Sequence, residues 1–199
     1  MIELFLKGGP IMWPILAASI VALTVALERF LFVLLEGGRR NQRQVRDIIS
    51  WIEKGDIDSA RRLGANSRDF VTRALVEALA HRTNFAEAML AAASLELRRY
   101  TRGLTVLDTI ITLAPLLGLL GTVTGMIRSF GMLGGAELGA PTAITGGIAE
   151  ALIATAFGLG VAITALLPFN YLNSREEEAR LALQDAASKV ELLLKKEVR

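Results

Sequence analysis

Apolar residues in this 199-residue chain follow two patterns. In three stretches they run almost unbroken: residues 11–35, interrupted only by Glu28-Arg29; residues 104–131, with Asp108 near the start and Arg128 near the end; and residues 144–172, with the single charge Glu150. Each exceeds the roughly 20 helical residues needed to cross about 30 Å of hydrocarbon. Elsewhere they recur at helical spacing. Val45, Ile48, Ile49 and Ile52 mark one face of a short helix. Ala179, Ala182, Leu183, Ala186, Val190, Leu193 and Leu194 mark another, with Glu176 four residues before Arg180. No strand pattern or repeat is present. The predicted fold is all-α, a polytopic membrane protein with three spans extended by cytoplasmic helices.

That pattern divides the chain into an N-terminal segment with span one (1–35), a polar helical segment (36–103), span two (104–131), a short loop (132–143), span three (144–172) and an amphipathic tail helix (173–199). Within 36–103, Gly55-Asp56 and Gly64-Ala-Asn-Ser67 read as breaks, with Ser67 as a helix N-cap. Asn84 followed by Glu87 has the outline of a capping box. The helix starting there is expected to run into span two, and the tail helix to continue span three.

Composition and charge sharpen this reading. Hydrophobic residues make up 52% of the chain, more than a soluble domain of this size can readily cover with polar surface. The net charge is only +2, and acidic residues are interleaved with basic ones, which gives no nucleic-acid signature. Most Lys and Arg fall in 36–103, a second group in 173–199, and little between the spans. The positive-inside rule therefore predicts a periplasmic N-terminus, with the polar segment and the C-terminus in the cytoplasm. The opening residues lack the basic region and small-residue cleavage site of a secretory peptide, so span one is expected to remain as an anchor. Cysteine is absent and His81 is the single histidine, which excludes disulfides, thiol chemistry and a Cys- or His-based metal site. No cofactor, metal site or catalytic residue is expected.

Candidate chemistry lies inside the spans. Span two contains Ala114-Pro-Leu-Leu-Gly-Leu-Leu-Gly-Thr-Val-Thr-Gly-Met-Ile127, and span three contains Gly147-Ile-Ala-Glu-Ala-Leu-Ile-Ala-Thr-Ala-Phe-Gly-Leu159. Gly118, Gly121 and Gly125 on one, and Ala154, Gly158 and Ala162 on the other, form small-residue ridges that let helix backbones approach closely. Pro115 removes a donor for the carbonyl of Ile111. Thr122, Thr124 and Thr155 are candidate polar groups, although a membrane threonine can also simply bond back to its own helix. Glu150 would cost roughly 2.5–3.5 kcal/mol if it faced lipid, so it marks either an ion path or a solvated or salt-bridged carboxylate at the end of its span. Thr155 lies about 140° around the helix and about 7.5 Å along it from Glu150. Glu28 and Arg29 are a candidate ion pair at the cytoplasmic end of span one.

On these two stretches, and more weakly on Glu28-Arg29, the chain resembles the ExbB/TolQ/MotA family of proton-channel subunits. It is closest to the three-span ExbB and TolQ branch, since the flagellar MotA branch has four spans. The resemblance implies a bacterial inner-membrane homopentamer whose spans two and three line a central pore. Single-span partners of the ExbD/TolR type, normally two, would occupy that pore and supply a proton-carrying aspartate. Thr122 matches the pore threonine of span two, Thr155 that of span three, and Glu150 the pore glutamate. Where the family has a proline in an Ala-Ile-Pro-Ala context, this chain reads Ala162-Ile-Thr-Ala165, with Pro168 following. Pro168 frees the carbonyl of Thr164, for which the Thr164 hydroxyl is a candidate to compensate. An intramembrane enzyme would need a nucleophile–base pair or a ligand cluster within the spans, which the sequence does not provide. The remaining competitor is an oligomeric membrane scaffold without ion conduction.

Overall fold

The computed structural model describes residues 2–133 and 141–197, with side chains given for 3–131 and 145–196. Its helices are α1 (Ile2–Lys7), α2 (Met12–Gly38), α3 (Gln42–Glu53), α4 (Ile57–Gly64), α5 (Phe70–Leu79), α6 (Phe85–Thr101), α7 (Leu104–Leu133) and α8 (Pro141–Glu197), with a 3-10 turn at Arg82–Asn84. No strand occurs among the described residues. Three of these helices contain segments long and apolar enough to cross a membrane: Met12–Gly38, Leu104–Gly131 and Thr145–Lys196. The expected loop 132–143 is helical at both ends, since α7 reaches Leu133 and α8 starts at Pro141; residues 134–140 lie outside the described residues. The chain forms two compact units. One is Met1–Arg29 with Gly103–Asn170; the other is Phe30–Arg102 with Tyr171–Arg199.

The first unit packs by close backbone approach. A Cβ added at Gly158 would lie 2.5 Å from the Ala114 carbonyl oxygen, and one at Gly118 would lie 3.0 Å from the Thr155 Cα. Only hydrogen at these two positions permits that separation of α7 and α8, and in lipid close packing replaces the missing hydrophobic drive between helices. Ala154 is fully buried, together with Met12 and Ile15 of α2. The entry to α2 is a turn: Gly9 has φ +73, Pro10 follows, and the N–H of Met12 bonds the Gly9 carbonyl at 3.2 Å. Pro115 and Pro168 both lie inside continuous helices. The Thr164 hydroxyl donates upstream to the Gly160 and Val161 carbonyls, at 3.0 and 2.9 Å, so its proton is not directed to its own freed carbonyl as expected.

The second unit packs its helices around a filled apolar core. Val45, Ile48 and Ile52 of α3 pack with Ile57, Ala60, Val71, Leu75, Leu79 and Met89. From α8, Ala179, Leu183, Ala186 and Val190 complete this core, which accounts for the apolar stripe read in the tail. Gly55 has φ +78, and the Asp56 side chain caps α4 by accepting from the Ser59 N–H at 2.9 Å. The cap of α5 is Asp69, not Ser67. Its Oδ1 accepts from the Val71 and Thr72 N–H groups, while Ser67 Oγ accepts from the Asp69 N–H. A carboxylate fully removed from solvent and also paired with Arg40 outcompetes a hydroxyl for this position. Asn84 precedes α6 but makes no side-chain cap bond, so the capping-box expectation fails. Nor does α6 run into span two. It ends at Thr101, and Gly103, at φ +82, breaks the chain before α7.

Candidate functional site

The polar residues of the first unit fall into two groups around the α7–α8 contact. In the first, Thr155 Oγ1 donates to the Gly118 carbonyl across the helix pair at 3.0 Å. Thr122 and Thr124, for which a bond back to their own helix was the alternative, take that bond. Thr122, one turn beyond Gly118, donates to the Leu119 carbonyl at 2.7 Å. Thr124 bonds back to the Leu120 and Gly121 carbonyls at 3.0 and 3.2 Å. Each threonine hydroxyl has one proton, and each is committed to a main-chain oxygen. What these groups still offer is oxygen lone pairs.

The second group centres on Glu150. Its Oε1 accepts from Arg128 Nη1 at 2.8 Å, and the carboxylate is about one-fifth exposed. Pro10, Ile11, Thr124, Arg128 and Glu150 together line a cavity of about 190 Å³. Gly9 lies so close that a Cβ there would meet the Glu150 carboxylate. Glu150 therefore occupies a different flank of α8 from Thr155, as their separation of about 140° requires. Thr155 is brought together with the Gly118–Thr122 turn, and Glu150 is not.

The small-residue positions all lie on or beside the contact. Gly121 faces Ala154 and Ile11, Gly125 faces Ala151 and the Gly147 carbonyl, and Ala162 is buried. Buried Ser129 stands against Gly147, with its hydroxyl donating to the Gly125 carbonyl at 2.9 Å. Glu28 and Arg29 form an ion pair in which the Arg29 Nε also donates to Glu28 Oε2 at 3.0 Å. Sequence reasoning missed Arg128 as a site residue. The available signal was a lone cation near the end of span two, matched by a lone anion near the start of span three, in helices joined by a short connection. Among the described residues no group of three His, Cys, Asp or Glu side chains could hold a metal ion.

Comparison with known proteins gives the family. Residues 64–185 match the family described as the MotA/TolQ/ExbB proton channel family. A biopolymer transport relative from Synechocystis, ExbB-like 1, is 41% identical over 97% of this chain and 78% of its own length. An ExbB homolog from Methanothermobacter thermautotrophicus is 33% identical over 98% of this chain and 68% of its own. The Tol-Pal system protein TolQ of Pseudomonas aeruginosa is 40% identical over 46% of this chain and 40% of its own. With three membrane-crossing helices and a match over most of its length, this chain is a membrane protein that belongs to the MotA/TolQ/ExbB proton channel family.

Proposed function

We propose that the chain is the pore-forming subunit of an inner-membrane motor driven by the proton-motive force. It assembles as a homopentamer around single-span partners of the ExbD/TolR type. Its N-terminus is periplasmic and its C-terminus cytoplasmic, as the placement of Lys and Arg supports. The observation that carries this reading is the Thr155–Gly118 bond, which fixes a hydroxyl where α7 and α8 approach closely, one turn from Thr122. Repeated around a ring, Thr122 and Thr155 form a narrow polar girdle in an otherwise apolar conduit.

The hydroxyl protons are already committed, so the girdle accepts hydrogen bonds. A partner carboxyl is therefore received there in its protonated form, or through a water that donates to the threonines. The ionised form needs donors and moves away from the girdle. Each proton moved through 100 mV supplies about 2.3 kcal/mol, so several are pooled to drive a large rearrangement. The work is delivered through the partner to envelope transport or envelope maintenance.

The test is proton-driven activity in Thr155→Val and Glu150→Ala variants that still assemble. Loss of activity in both is expected. Wild-type activity in both would remove the mechanism. One observation favours the scaffold alternative: hydroxyls bonded to main chain and a carboxylate neutralised by arginine also suit a bundle that only packs. Activity that ignores both partner and membrane potential would select that reading.

A further inference from the structure

Glu150 is carried into the proposed pore as an anion, yet it does not stand alone. Arg128 Nη1 reaches its Oε1 at 2.8 Å, joining the C-terminal part of α7 to the N-terminal part of α8. The Gly9-Pro10 turn completes the site. At φ +73 only glycine is unstrained, and any side chain at that position would collide with the carboxylate. Three separate pieces of the first unit thus converge on one carboxyl group. The cavity they line, about 190 Å³, holds one cation, one anion and the Thr124 hydroxyl over an apolar floor of Pro10 and Ile11.

We propose that Arg128 is the resident counter-ion of Glu150, so that the pair presents a net-neutral mouth and positions the carboxylate against the Gly9-Pro10 turn. Two consequences follow from the charges. With the pair intact, Glu150 does not act as an open cation-attracting anion. With either partner removed, the remaining charge is uncovered in a largely apolar setting, and its sign sets which ions are drawn to the mouth. Arg128 acts through Glu150, so its role is that of a positioning residue. The inference rests on the pore reading for its effect on ions, while the pairing itself does not.

The experiment uses the full chain reconstituted together with a single-span partner of the ExbD/TolR type in vesicles of phosphatidylethanolamine and phosphatidylglycerol. Wild type is compared with Arg128→Gln, Glu150→Gln, the double variant and Arg128→Lys. Thermal unfolding in detergent gives a double-mutant cycle, and dilution-potential measurements give the sign of ion selectivity. Expected is a coupling between the two sites equal to a factor of roughly ten in the folding equilibrium. Arg128→Gln should shift residual permeability toward cations and Glu150→Gln toward chloride. The double variant should show neither shift, and Arg128→Lys should stay near wild type. Additive stability effects, or selectivity shifts of the same sign in both single variants, would overturn the counter-ion assignment. Coupled stability without ion permeation in any variant would instead overturn the pore reading and leave the pairing in place.

Discussion

The two units solve the same packing problem in different ways. In the unit formed by Met1–Arg29 and Gly103–Asn170, helices are joined by removing side chains: Gly118, Gly125 and Gly158 bring backbones to within contact of one another. In the unit formed by Phe30–Arg102 and Tyr171–Arg199, they are joined by filling the space, with Ile48, Ile52, Leu75, Leu79 and Val190 almost fully buried. Polar groups differ in the same way. The first unit satisfies hydroxyls on main-chain carbonyls and ties α7 to α8 through the Arg128–Glu150 pair. The second uses a network, in which Arg73 bonds Glu96 at 2.6 Å and approaches Glu36 at 3.4 Å, while Arg40 bonds Asp69 at 2.6 Å. Where water drives burial, charges can be spent on specificity. Where lipid does not, closeness has to serve instead.

The largest effect is expected at Asp69. Its carboxylate caps α5, accepts from the Asn41 N–H and pairs with Arg40 while fully buried. Asp69→Ala should destabilise the second unit by about 4 kcal/mol, combining a lost cap with an orphaned arginine. Chemical unfolding followed by far-UV circular dichroism reads this, and a change below about 1 kcal/mol would show that the network is incidental. In the first unit, Gly158→Val should cost about 2 kcal/mol or more, because the new Cβ meets a main-chain oxygen that cannot rotate away. If detergent-solubilised Gly158→Val unfolds like wild type, the packing contrast between the units fails.

A smaller effect concerns Tyr100. Burial between Phe32 and Phe70, aided by the Glu36 carboxylate, raises its phenol above the usual 10. A raised folded value means the contribution is complete below the unfolded value near 10 and is lost as pH climbs past it. Stability should therefore fall above pH 10 in wild type and fall less in Tyr100→Phe, measured by urea unfolding across the alkaline range. The smallest change is expected from the exposed Lys189–Asp185 pair on α8. Lys189→Ala should shift stability by less than about 0.5 kcal/mol, measured by the same unfolding. A larger loss would mean that surface pairs, and not the core, hold the tail in place.

Periodicity and residue size made most of this legible. Long apolar runs, the stripe from Ala179 to Leu194 and the small-residue ridges each reflect a local repeat, and the structure uses each of them. What stayed hidden depends on partners distant in sequence. Ser67 and Asp69 are both good caps by residue type, and only the approach of Arg40 and Asn41 decides between them. Gly103 was visible as a glycine, but not as a residue at φ +82 against Val25 and Arg29. Likewise the sequence marked Thr155 as polar, but it could not show that the hydroxyl would reach across to Gly118. Arg128 and Glu150 are 22 residues apart, and their pairing depends on how α7 and α8 meet.

The central claim is that Thr122 and Thr155 border water inside an assembled ring. Because the chain contains no cysteine, a single introduced thiol can report on this without background labelling. The decisive measurement is labelling of Thr155→Cys, with Thr122→Cys alongside and exposed Leu167→Cys as the comparison outside the helix contact, by a membrane-impermeant thiol reagent in sealed membranes. Fast labelling at Thr155 and Thr122, slow labelling at Leu167 and loss of proton-driven activity on modification are predicted. Labelling of both threonine positions no faster than Leu167 would contradict the claim.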